Sequence, residues 1–138
     1  MKENVLKKYF EKGISVDILS TDLKDSQTKT GFDSISVQIE QIKESGEFQI
    51  SIDNLIQLCD NVINRELKLI DLNTIAFALI TSEFFTWDSD SEIGNRIETV
   101  IYDWDNPDIG YDLTIDNVKL WKEYLLTGEY RFNKNSLQ

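Results

Sequence analysis

Residues 35–52 read ISVQIEQIKESGEFQISI, and the period of this stretch decides which fold class the sequence predicts. Ile35, Val37 and Ile39 alternate with Ser36, Gln38 and Glu40; beyond Glu44, Ser45 and Gly46, the residues Phe48, Ile50 and Ile52 alternate again. Side chains two apart share one face of a strand, so two such runs around a glycine-containing turn predict a β-hairpin. Its alternate positions are polar, and one face of the sheet is expected to be wet.

Working outward toward the N-terminus, Ile14, Val16 and Ile18 alternate in the same way and add a third strand. The polar run Ser20–Gly31 (STDLKDSQTKTG) lacks an apolar period and is expected to be a surface loop. Before it, Val5, Leu6, Tyr9 and Phe10 lie on one face of a helix over Met1–Lys12, ended by Gly13.

Toward the C-terminus the period changes from two to about 3.6. Leu55, Leu58, Cys59, Val62 and Ile63 form one helical stripe, with Ser51 or Asp53 as cap. Leu72, Ile75, Ala76, Leu79 and Ile80 form a second behind Asp71, and Phe77, off that stripe, suggests a helix buried on two sides. Ser89 and Glu92 have capping-box spacing before a third stripe, Ile93, Ile97, Val100, Ile101 and Trp104, which Asp105, Asn106, Pro107 and Asp108 break. Thr114 caps a fourth, with Val118, Trp121 and Leu125 inward and Gly128 at its end; the tail from Asn133 is polar. The expected architecture is one α+β domain over 1–138: an N-terminal helix and a small antiparallel sheet of about three strands, followed by a four-helix C-terminal half.

With 41% hydrophobic and 28% charged residues the chain reads as globular, and its 138 residues suffice for one core. No apolar run reaches the ~20 residues that span a bilayer. The opening MKENVLKKYFEKG lacks the apolar core of a signal peptide, so a cytoplasmic location is expected. A net charge of -11 disfavours nucleic acid and anionic membranes, both of which are bound through Lys and Arg, and favours a basic protein partner.

There is no histidine, which removes Ser-His-Asp and Cys-His catalysis in their usual forms and every His-containing zinc site. Cys59, the single cysteine, lies on an apolar stripe and reads as a small buried hydrophobe. An EF-hand loop counted from Asp88 would need glycine at Ile93; counted from Asp105 it would put Pro107 and Ile109 at ligand positions. Glycines are scattered and build no phosphate loop. No enzymatic activity, metal or cofactor is expected.

The charge is concentrated. Glu83–Asp116 holds ten acids against one base, Arg96, interleaved with Phe84, Phe85, Trp87, Tyr102, Trp104 and Tyr111. Charge runs are commonly solvated faces. Against that, Asp103 and Asp105 fall at the predicted C-terminal end of the third helix, where the backbone dipole disfavours anions by about 0.3–1 kcal/mol each. A local rule broken without visible compensation suggests a site. Trp104 and Trp121 lie on core stripes, whereas Trp87, Tyr102 and Tyr111 do not and are candidate exposed anchors. The candidate partner-binding set is Trp87, Asp88, Asp90, Tyr102, Asp103, Asp105, Asp108, Tyr111 and Asp112.

The segments TWDSDSE (86–92) and DWDNPDIGYD (103–112), with LTIDNVKLWKEYLLTGEY (113–130), resemble the immunity proteins of bacterial polymorphic and contact-dependent toxin systems. That resemblance implies a cytoplasmic protein that binds and neutralises one cognate toxin domain, for instance by plugging the basic groove of a nuclease. A regulatory or adaptor module with a basic partner is the other reading open to the same residues.

Overall fold

Val16, Leu19 and Leu23 stand at i, i+3 and i+7, and this helical spacing prevails over the short alternation that Ile14, Val16 and Ile18 suggested. In the computed structural model, which describes residues 1–30, 34–37 and 39–132 and the side chains outside 25–38, α2 runs Val16–Ser26. Leu19 and Leu23 are fully buried while Ile18 is exposed. It follows α1, Glu3–Phe10, whose Leu6, Tyr9 and Phe10 are buried. The segment expected to be a polar loop is therefore the end of α2 and then β1, Gln27–Thr30; its last residue Gly31, like Gln38 and the tail from Asn133, lies outside the described residues.

The hairpin is also re-partnered. β2, Ser34–Val37, pairs antiparallel with β1, from Gln27↔Val37 to Thr30↔Ser34, and not with the Phe48 run. β3, Phe48–Gln49, pairs in parallel with β4, Phe85–Thr86. Parallel neighbours need a crossover of a dozen or more residues, and α3 (Ile52–Ile63) with α4 (Leu69–Thr81) supplies it. The reason for the choice is aromatic: the Phe48 ring lies 6.0 Å from Phe10 and 5.7 Å from Phe85. The three-stranded antiparallel sheet and the α+β class are thus corrected. The protein is mostly helical, with six helices and two two-stranded pairs among the described residues.

The remaining helices are α5, Glu92–Asp105, and α6, Ile115–Thr127. They do not form a separate half, because one buried cluster joins Leu6, Tyr9 and Leu23 to Leu58, Ile75, Trp104 and Trp121. Trp104 and Trp121 meet edge to face at 6.3 Å, the preferred geometry for the two ring quadrupoles.

Caps fix the ends more tightly than the sequence suggested. Ser51 accepts from Asn54 N–H and caps α3 as expected, whereas Lys68 holds the N-cap position of α4 and Asp71 is the helix's third residue, its carboxylate accepting Lys68 N–H at 2.9 Å. Ser91, not Ser89, caps α5. Phe77, expected to be buried, is 43% exposed, and Ile93 is 49% exposed.

Candidate functional site

Helix α5 separates the candidate residues into two groups. Its 14 residues span about 21 Å at 1.5 Å each, with Trp87, Asp88 and Asp90 before its start and Tyr102, Asp103, Asp105, Asp108, Tyr111 and Asp112 at or beyond its end. The nine residues therefore do not make one patch.

The entry loop is tied down by its own polar groups. Asp88 Oδ1 accepts Asp90 N–H at 3.0 Å, and the Asp88 carbonyl accepts Ser91 N–H at 3.2 Å and Ser91 Oγ–H at 2.9 Å. Gly94 permits this approach: a Cβ there would sit 1.6 Å from the Asp88 carbonyl oxygen. Trp87 is half-buried, its Nε1–H donating to Glu98 Oε1 at 3.3 Å, and Ser89 Oγ–H donates to the same oxygen at 2.8 Å. Beside Trp87 lies a shallow hollow of about 260 Å³ walled by Leu79, Ile80 and Phe85 with Glu98 at its rim. Glu98 had no place in the sequence argument, which gave no cue that a single carboxylate would hold both Trp87 and Ser89.

At the other end the two aspartates that break the dipole rule diverge. Residues two apart do not face each other on a helix. Asp103 turns toward α6, where its Oδ2 accepts Trp121 Nε1–H at 2.9 Å and Tyr130 Oη–H at 2.6 Å. Burial first, then the bond to Asp103, drives the Tyr130 hydroxyl pKa far up, so it stays a donor. Asp103 is thus a clamp between α5, α6 and the segment after Gly128. Asp105 turns the other way, and burial raises its pKa. The last carbonyls of α5, which a helix end leaves without partners, are answered by amides: Asn73 Nδ2–H donates to Trp104 O at 3.0 Å and Asp105 O at 3.3 Å, and Asn106 Nδ2–H to Tyr102 O at 3.0 Å. The compensation comes in part from the adjoining Asn106 and in part from Asn73, Trp121 and Tyr130, which are distant in the chain.

Tyr111, off every stripe, is nonetheless half-buried: its ring lies 4.4 Å from Phe132 and 6.1 Å from Tyr130, in an aromatic cluster that Trp121 joins through Phe132 at 5.0 Å. Of the three candidate anchors, Tyr102 is the one that remains exposed, at 46%. Asp108 and Asp112 are exposed as well. Between them Ile109 is 85% exposed, the most exposed large hydrophobic among the described residues. Nothing in the sequence marked it beyond its place in a turn of Asn, Pro, Asp and Gly.

Burial pushes the Cys59 thiol up to about 12, so it stays protonated and is no nucleophile at neutral pH. Among the described residues no group of three His, Cys, Asp or Glu is placed to hold a metal ion, and no helix is long and apolar enough to cross a membrane. No protein-family model, curated protein or solved structure matches the chain.

Proposed function

We propose that this chain is a cytoplasmic immunity protein that binds and neutralises a cognate bacterial toxin domain, such as a nuclease, without catalysing a reaction itself. Its contact surface is the end of α5 and the following turn. The observation that carries the reading is Ile109, exposed between Asp108 and Asp112 in the turn that follows α5, on whose last turn Tyr102 is exposed as well. An apolar residue kept in water within an acidic turn contributes nothing to the core, whereas at an interface it supplies a desolvated centre inside a charged rim. The net charge of -11 supplies the steering, which can raise association rates roughly 10- to 1000-fold.

The test is binding of the full chain to the toxin domain encoded beside it, with both rate constants measured at two salt concentrations. Tyr102→Ala should cost about 2 kcal/mol and speed dissociation, while Asp108→Asn should mainly slow association and flatten its salt dependence. If the neighbouring protein is not bound, or is bound and neither substitution moves a rate constant, the reading fails. Binding of a basic protein that is no toxin would favour the adaptor reading instead.

A further inference from the structure

Helix α4 carries a surface unlike the rest of this acidic chain. Leu72–Ser82 is the longest run without a charged residue, and the one charge within α4, Asp71, is turned inward at 5% exposure. Ile70, Phe77 and Thr81, at i, i+7 and i+11, are exposed along one stripe of the helix, whereas Asn73 and Ile80 beside it turn toward the end of α5 and the Trp87 hollow. Ile70 is 44% and Phe77 43% exposed. A buried helix would cover them, and a solvated one would carry Lys or Glu in their place.

The ends of this face differ in charge. At the N-terminal end Lys24 and Lys68 line one cleft with Ile70, Ser20 and Thr21. At the C-terminal end the chain leaves α4 through Ser82 to the exposed Glu83. Lys68 and Glu83 each stand at the wrong end of α4, since the dipole favours anions at the N-terminus and cations at the C-terminus. An antiparallel neighbour with the same sequence corrects both: its Glu83 and last carbonyls come to Lys68, and its Lys68 comes to Glu83.

We propose that the outward face of α4 pairs with the same face of a second copy of this chain about a two-fold axis. With the axis level with Asn73 and Thr74, position 70 opposes position 77, so Ile70 of each copy meets Phe77 of the other, twice by symmetry. This is the self-complementarity that a two-fold interface requires. The net charge of -11 opposes approach of two copies elsewhere on the surface, and the acid-free α4 face is where that repulsion is least. A strip about 20 Å long and about 10 Å wide is small against the ~800 Å² per partner of a standard interface. The cleft wall of α2 adjoins it, and the pair is a weak dimer that dissociates on dilution.

Sedimentation equilibrium on the full chain, from about 1 µM to about 1 mM, tests this without any other partner. The expected result is a mass rising from one chain to two with concentration. Phe77→Glu should weaken the pair by about 100-fold or more, because symmetry counts the change twice, while an unchanged far-UV circular dichroism spectrum shows the fold intact. Lys68→Glu and Glu83→Lys should each weaken it, and the double exchange should restore it. A one-chain mass throughout, a dimer indifferent to Phe77→Glu, singles not rescued by the double exchange, or open-ended growth would each overturn the proposal. A one-chain mass together with unimpaired toxin binding would separate its failure from that of the proposed function.

Discussion

The turn that enters α5 and the turn that leaves it are equally acidic in sequence and unlike in structure. On the way in, the Glu98 carboxylate accepts from Trp87 and Ser89, the Asp88 carboxylate accepts Asp90 N–H while its backbone carbonyl accepts from Ser91, and Gly94 lets the helix lie against the loop. On the way out, Asp108 and Asp112 hold exposed carboxylates and Ile109 stands in solvent. A carboxylate whose lone pairs are filled by its own chain has less to offer a partner. The density of acids in a sequence therefore overstates the charge free for recognition, and the exit turn is the better candidate surface.

The largest effect that can break this comparison is expected at Gly94. Gly94→Ala puts a Cβ within 1.6 Å of a backbone carbonyl, so either the entry loop or α5 must move. The cost should be about 3 kcal/mol, at the upper end of overpacking penalties, read as a lowered urea midpoint. If the variant unfolds at the wild-type midpoint, the entry loop is not rigid and its contrast with the exit turn is lost.

Asp103 sharpens the comparison from the other side, because it lies at the exit end and yet belongs to the fold. Asp103→Ala leaves Trp121 Nε1–H, which is buried, without its acceptor, a loss of about 2 kcal/mol. The Tyr130 hydroxyl, with its ring 38% exposed, can turn to water. Urea unfolding should report that loss. Equal stability, with slowed association to the partner, would return Asp103 to the binding face.

Sequence periodicity succeeded where it ran long. Leu55, Leu58, Cys59 and Val62, then Leu72, Ile75, Ala76 and Leu79, then Ile97, Val100, Ile101 and Trp104 are all buried, since a 3.6 period sustained over three turns has no competing explanation. It failed where two periods overlapped on a few residues: Val16 belongs both to the alternation Ile14, Val16, Ile18 and to the helical set Val16, Leu19, Leu23. The pairing of β3 with β4 joins strands that α3 and α4 separate, and no turn signal encodes that choice. The site was legible to the same degree. Tyr102, Trp87 and Tyr111 are all off-stripe, but what covers the last two, Glu98 and Phe132, comes from outside their own segments. Local spacing says which way a side chain leaves its helix and is silent on what it meets.

The smallest expected effect distinguishes the two aspartates at the end of α5. Asp105 has no compensating donor among the described hydrogen bonds to match those of Asp103, it is the last residue of the helix, and burial holds its pKa above the ordinary value of 3.8. Asp105→Asn removes an anion from the negative end of the dipole and should stabilise the fold by about 0.3–1 kcal/mol at neutral pH. The pH dependence fixes the cause. A carboxyl whose native pKa is raised binds its proton more tightly folded than unfolded, so in the window just above 3.8 the native state carries more protons. Its ionisation lowers stability as pH rises through that window, and the full penalty stands at neutral pH. The advantage of Asn should therefore shrink as pH falls from 7 toward 4, which thermal unfolding at several pH values would show. An advantage constant with pH would mean that charge is not the reason, and a loss of stability would mean that Asp105, like Asp103, holds a structural contact.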